Sequence, residues 1–237
     1  MDLFLKLCLA HLIGDFILQF EELYRLKVRS RLGHFLHAAV HAATSLAVTL
    51  PYGLDFSLWL FIAAISTVHY FQDQIKYRLQ KGKRVSFPYF FMDQILHFLF
   101  IGAIFFFSVS RRAASHFGGF PLKDFYADPF YTLCLMAFIT AAFAGGYFLH
   151  ALRKSYFART RPDHFITSME MTHGVVERGS VAMVFLFSSH PLFGFASLAV
   201  GLLRLPFAKL RNRTDFLLNF VFAAAVGLLF RRLVEIL

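Results

Sequence analysis

Charged residues are scarce in this chain. Asp, Glu, Lys and Arg make up 16% of its 237 residues, against about 25% in a soluble domain. That is too little polar surface to clothe a globule in water. Acidic residues are scarcer than basic ones, 14 against 24, which leaves a net charge of +10. Cysteine is nearly absent. Cys8 and Cys134 both lie in apolar runs without metal-type spacing, which argues against a disulfide framework or a zinc ribbon. Between the apolar segments there is no room for a separate soluble domain.

What is present is apolar. Hydrophobic residues reach 58% and the mean hydropathy is +0.59. A spanning helix needs roughly 20 apolar residues, so this length accommodates about eight spans. The runs lie near 2–20, 35–50, 56–75, 87–108, 129–151, 177–190, 191–208 and 215–233. The expected fold is all-α, a polytopic transmembrane helix bundle. Residues 1–108 and 109–237 would form its two four-helix halves within one integral membrane domain. The first run does not read as a cleaved signal, because His11 and Asp15 interrupt it and no small-residue cleavage site follows.

The basic excess is unevenly placed. Arg25, Lys27, Arg29 and Arg31 fill the first loop, and Lys76, Arg78, Lys81, Lys83 and Arg84 the third. Arg153, Lys154, Arg159, Arg161 and Arg178 mark the fifth, and Lys209, Arg211 and Arg213 the seventh, while the fourth has Arg111, Arg112 and Lys123, the C-terminus adds Arg231 and Arg232, and the second and sixth have none. Such clusters between apolar runs orient a membrane protein rather than grip nucleic acid. Odd-numbered loops are therefore expected in the cytoplasm and the N-terminus outside.

Ionisable groups inside spans cost about 2.5–3.5 kcal/mol each on insertion scales, so they need a reason to be there. Here they come in pairs: His11 with Asp15, His37 with His41, His69 with Asp73, and Asp93 with His97. A spacing of four puts both members on one helix face. His34 lies one turn before His37. Counted from the cytoplasmic end of its own run, each pair is within about ten residues, which at about 1.5 Å per residue is one slab. The pairs also repeat. His11 and Asp15 map onto His69 and Asp73 with an offset of 58, and His37 and His41 onto Asp93 and His97 with an offset of 56. Two like-oriented helical hairpins would then be related by a pseudo-two-fold along the membrane normal.

Three readings of these pairs stand side by side. Interhelical bonds as glue average only about 0.6 kcal/mol in membranes, small beside the insertion cost. A hydrated proton or ion pathway would use the same residue types. A divalent metal would remove the charge penalty of buried Asp, with His11, Asp15, His37, His41, His69, Asp73, Asp93 and His97 as ligands or as groups orienting them. Nitrogen and oxygen donors without thiolate suit zinc, iron or manganese.

In the second half, Glu177 and Arg178 open the sixth run, Arg204 lies in the seventh and Asn219 in the eighth. Arg178 and Arg204 either snorkel to the interface or hold an anionic group such as a phosphate. The phenylalanines and Trp59 read as lipid-facing and packing residues.

These motifs resemble those of bacterial membrane proteins of domain of unknown function 3307. The resemblance rests on Ala10-His11-x-x-Gly14-Asp15-Phe16, the His37/His41 pair, His69-x-x-x-Asp73, Asp93-Gln94-x-x-His97 and Gly174-Val-Val-Glu177-Arg178. It extends to the helix from Gly194 to Arg204, where Leu203-Arg204-Leu205 stands in place of an Ala-Lys-Ser. The positive charge persists there, but lysine-specific chemistry would not. The resemblance implies a multi-pass protein of the bacterial inner membrane and brings no established activity.

From the residues, the leading expectation is a membrane-embedded metal-dependent hydrolase acting on a lipid or lipid-linked phosphate at the cytoplasmic leaflet. One of Asp15, Asp73 or Asp93 would serve as general base, with Glu177 and Arg178 beside it and Arg178 or Arg204 on the substrate anion. A di-iron oxygenase is a chemical variant. The alternatives are an ion- or proton-coupled transporter and a non-catalytic subunit with a structural metal.

Overall fold

The computed structural model describes residues 1–53, 55–80, 87–112, 114, 123–156, 168–188 and 213–237. It is helical, with no strand among the described residues. The chain falls into two compact units, Met1–Thr132 and Leu133–Leu237.

In the first unit, α1 (Asp2–Leu12) passes into a π-helical turn, Ile13–Ile17, whose i→i+5 bond runs from Leu18 N to Ile13 O at 2.9 Å. The chain then bends by 87° into α2 (Glu21–Arg29). Ser30 stops α2 and starts α3 (Arg31–Thr49): its extended backbone breaks the helix, and its hydroxyl accepts from Gly33 N at 3.0 Å as an N-cap. The two helices meet so closely there that a Cβ on Gly33 would lie 2.2 Å from the backbone of Leu26. Asp55 caps α4 (Phe56–Gln80) by accepting from Ser57 N and Leu58 N at 2.9 and 3.1 Å. The Ser57 hydroxyl and the Leu58 amide hold that carboxyl below its ordinary range. Then follow α5 (Phe87–Gly102) and the short α6 (Lys123–Ala127).

The helices α1, α3, α4 and α5 close a ring in that order, α5 returning to α1. All four polar pairs lie on these helices and the π turn. A second buried polar knot joins α1 to the end of the unit. Lys6 donates to Thr132 Oγ1 at 2.5 Å and stands 4.2 Å over the Tyr126 ring, while Tyr52 donates to Asp2. Lys6 is a buried charge in the first run that the sequence reading passed over.

The helix α7 (Pro129–Ile139) crosses from the first unit into the second. A π-helical turn, Thr140–Ala144, joins it to α8 (Gly145–Tyr156). The helices α9 (Ser168–Phe187) and α10 (Arg213–Ile236) pack on each other and on that turn.

The expectation of eight spans is not met among the described residues. Three stretches are long and apolar enough to cross a membrane: Phe87–Phe106, Pro129–Tyr156 and Phe216–Ile236. The bent pair Asp2–Ile17 and Glu21–Arg29 makes a fourth if it counts as one broken span. The reason is chemical. The His and Asp side chains on α3 and α4, and Glu170, Glu177 and Arg178 on α9, lower the hydropathy of helices that are otherwise long enough. The expected seventh span, 191–208, lies outside the described residues.

Candidate metal centre

The π turn is the local device that builds the site. Its wider turn keeps His11 and Asp15 on one side of the chain and brings Gly14 against α3; π turns of this kind often mark functional sites. A Cβ on Gly14 would sit 2.7 Å from Cε1 of His41, so only glycine lets the imidazole approach.

Asp15 is the hub. Its carboxylate lies 3.0 Å from His37 Nε2, 3.0 Å from His41 Nε2, 3.6 Å from His11 Nε2 and 3.8 Å from His69 Nε2. Gln94 donates to its other oxygen at 3.2 Å. The rings form a continuous stack: His41 on His69 at 3.9 Å, His69 on His97 at 4.3 Å, and His97 on His11 at 5.0 Å between centroids. His11, Asp15, His37, His41, His69, Asp73, Asp93 and His97 are all buried. His34 stands apart, its ring edge-on to Tyr77 at 5.2 Å.

Two groups of donors can each hold an ion: His11, Asp15, His41 and His69, and His37, His69 and Asp73, with ligand atoms within 4.8 Å of one another. The first group has the number of donors of a four-coordinate shell. Bonds of about 2.0–2.1 Å put the donors of such a shell roughly 3.4 Å apart. Asp15 Oδ1 lies 3.0 and 3.8 Å from the Nε2 of His41 and His69, and Oδ2 lies 3.6 Å from that of His11, all near that value. His11 Nε2 and His69 Nε2 also have no hydrogen-bond partner among the described residues, although both are buried. A buried polar atom left unpaired costs about 1–3 kcal/mol, a cost that a bound cation removes.

The remaining carboxylates have partners of another kind. Lys27, on α2, reaches back over the bend to within 2.7 Å of Asp73 and donates to Gln19 Oε1 at 2.9 Å. Lys76, on α4, donates to Asp93 at 2.5 Å. In the sequence Lys27 and Lys76 stand among the loop charges that orient the chain, and Gln94 stands within a motif. The structure brings all three into the cluster. A signal exists for Lys76, three residues after Asp73, and for Gln94, three residues before His97, spacings that share a helix face. For Lys27 there is none.

Of the second-half residues, Arg178 is buried in its own unit. It donates from Nε to Ala141 O at 2.9 Å, from Nη2 to Ala142 O at 2.7 Å and from Nη1 to Asn219 Oδ1 at 2.9 Å. Those carbonyls belong to the π turn at 140–144, whose irregular bonding frees them for a side-chain donor. Gly174 makes room: a Cβ there would stand 2.4 Å from the guanidinium nitrogens. Glu177 is buried beside it in sequence, and Arg204 lies outside the described residues.

No curated protein and no solved structure matches the chain. Residues 3–118, which carry all eight paired His and Asp residues together with Lys27, Lys76 and Gln94, match the family described as Protein of unknown function (DUF3307).

Proposed function

We propose that the four-helix ring is the centre of a membrane-embedded, metal-dependent hydrolase that acts on a lipid or lipid-linked phosphate at the cytoplasmic leaflet of a bacterial inner membrane. The observation that carries this reading is the convergence of donor atoms of His11, Asp15, His41 and His69 within 4.8 Å of one another, with the Nε2 of His11 and of His69 buried and making no hydrogen bond among the described residues. Zinc is the first choice of cation, with iron and manganese as alternatives. With four protein donors the shell would have to expand to a fifth position to take water or substrate; a water held there would have its pKa lowered toward about 7, and a phosphoryl oxygen held there would be polarised.

Charge supports one metal rather than two. Asp73 and Asp93 are matched by Lys27 and Lys76, so Asp15 is the only carboxylate of the cluster without a lysine beside it among the described residues. One divalent cation then leaves the pocket with a single positive charge, ready for an anion. Two would leave an uncompensated excess in a buried site. His37 and His97 become groups that orient or neighbour the shell. Asp73 and Asp93 share the role of general base only if their lysines release them. The phosphate-holding role passes to Lys27 and Lys76, which flank the cluster, rather than to Arg178.

The order of the ring, with α1 across from α4 and α3 across from α5, is compatible with the two-fold relation of the hairpins. The clustering of basic residues in the odd-numbered loops supports an external N-terminus. One observation favours an ion- or proton-coupled carrier instead. Lys27, Asp73, His37, Asp15 and His41 lie in a row with N···O separations of 2.7, 3.7, 3.0 and 3.0 Å, a run of buried titratable groups of the kind ion and proton carriers use. Elemental analysis of protein purified without added metal separates the two. About one zinc, iron or manganese per chain supports the hydrolase or a structural site; none supports the carrier.

A further inference from the structure

The histidine stack has two unlike sides. On one lie Asp15, Asp73, Asp93 and the two lysines. On the other, Leu7 stands one turn before His11, Ser45 one turn after His41, Ser66 one turn before His69 and Ile101 one turn after His97. The chain directions of α1, α3, α4 and α5 bring these four residues to the same level, where they line a cavity of about 20 Å³ with His11, His41, His69, His97 and Gln72. That volume holds a water molecule or one small ion and no more.

Its polar lining is unsatisfied. His97 is 3% exposed and neither ring nitrogen has a hydrogen-bond partner among the described residues. Ser66 is 9% exposed and its hydroxyl likewise has none, nor does the side-chain amide of Gln72. His97 lies outside both groups of converging donors, so its nitrogens are not accounted for by the cation. Polar atoms of this kind, turned into a small cavity against three candidate ligands, are placed to hold something that touches the metal.

We infer that this cavity is the open side of the metal centre and that it takes one small monoanion, or the water it replaces. Ser66, Gln72 and His97 hold it by hydrogen bonds. His97 is here a positioning residue and not a ligand. The inference rests on the metal reading above and deepens it: a phosphate ester presents only one oxygen to the metal from this side, and its head group stays outside.

The test uses the full chain in detergent, loaded with Co²⁺, with fluoride, an anion of about the size of water, as the probe. Fluoride should shift the visible cobalt bands saturably. Ser66→Val, which fills the cavity, should abolish that shift, and His97→Gln or Gln72→Leu should raise the fluoride Kd by about tenfold, with Co²⁺ affinity changed less than threefold. Cobalt spectra that do not respond to fluoride would overturn the inference and leave the metal centre standing. So would fluoride binding indifferent to Ser66→Val. Loss of cobalt itself in His97→Gln would make His97 a ligand and also overturn it. A wild-type chain that takes up no cobalt would remove the metal reading and this inference together.

Discussion

The ammonium of Lys27 and the carboxylate of Asp73 meet at 2.7 Å with side chains 5% and 2% exposed. Lys27 lies on α2 and Asp73 on α4, with the whole of α3 between them in the chain. Breaking a buried pair by removing one partner costs about 3–5 kcal/mol, because the other charge is left uncompensated. Lys27→Met should therefore lower thermal stability in detergent strongly. The double variant Lys27→Met with Asp73→Asn should recover most of the loss. Equal stability of Lys27→Met and wild type would mean that the pair is not formed.

Gly14→Ala tests the approach of α1 to α3. The new methyl would sit 2.7 Å from the His41 ring, and overpacking of a close contact costs about 1–3 kcal/mol. The ring must move, so zinc affinity, read by competition with a chromophoric chelator, should fall together with the melting temperature. Unchanged zinc affinity would place His41 outside the shell.

Metal content divides the variants into classes. Asp15→Asn and His41→Ala should lose metal, each removing a donor of the converging group. Lys76→Met should keep it, because Lys76 binds Asp93 and not the converging nitrogens. Chelator should lower the melting temperature of the wild type, since a ligand bound to the native state alone stabilises by RT ln(1 + [L]/Kd). Asp15→Asn should be insensitive to chelator. A chelator effect of equal size in both would point to a different site.

Arg178→Gln should act on stability and not on metal. The side chain gives up bonds to Ala141 O, Ala142 O and Asn219, and bonds to a charged group are worth about 1.5–3 kcal/mol each before compensation. A melting temperature lowered by several degrees with unchanged metal content is expected. Metal loss in this variant would contradict the separation of the two roles.

Topology follows from the loops. Reporters fused after residue 30 and after residue 83 should read as cytoplasmic, and one near residue 120 as external. An external reading at residue 83 would reverse the orientation of the ring.

The spacing of the polar pairs was legible because helix periodicity is local. Four residues separate His11 from Asp15 and His69 from Asp73, and nothing distant can alter which face they share. The all-helical character followed in the same way from unbroken apolar runs. The count of spans did not, because hydropathy averages a helix whether its polar side faces lipid or a ring of neighbours. The histidines on α3 lower its mean hydropathy, while two of them, His37 and His41, pack against other histidine rings.

By itself, then, the sequence determined the helices, the faces that carry His and Asp, and the excess of basic residues between the runs. Only the tertiary structure decided the partners. Lys27 reads as a loop charge until the 87° bend after the π turn brings it onto Asp73. Arg178 reads in the sequence as a residue that snorkels or holds an anion; its hydrogen bonds to carbonyls 36 and 37 residues earlier in the chain exist only because α9 packs against them. Register along a helix is set by neighbours a few residues away, whereas the partner of a buried charge is set by where the chain turns and which helices then close around it.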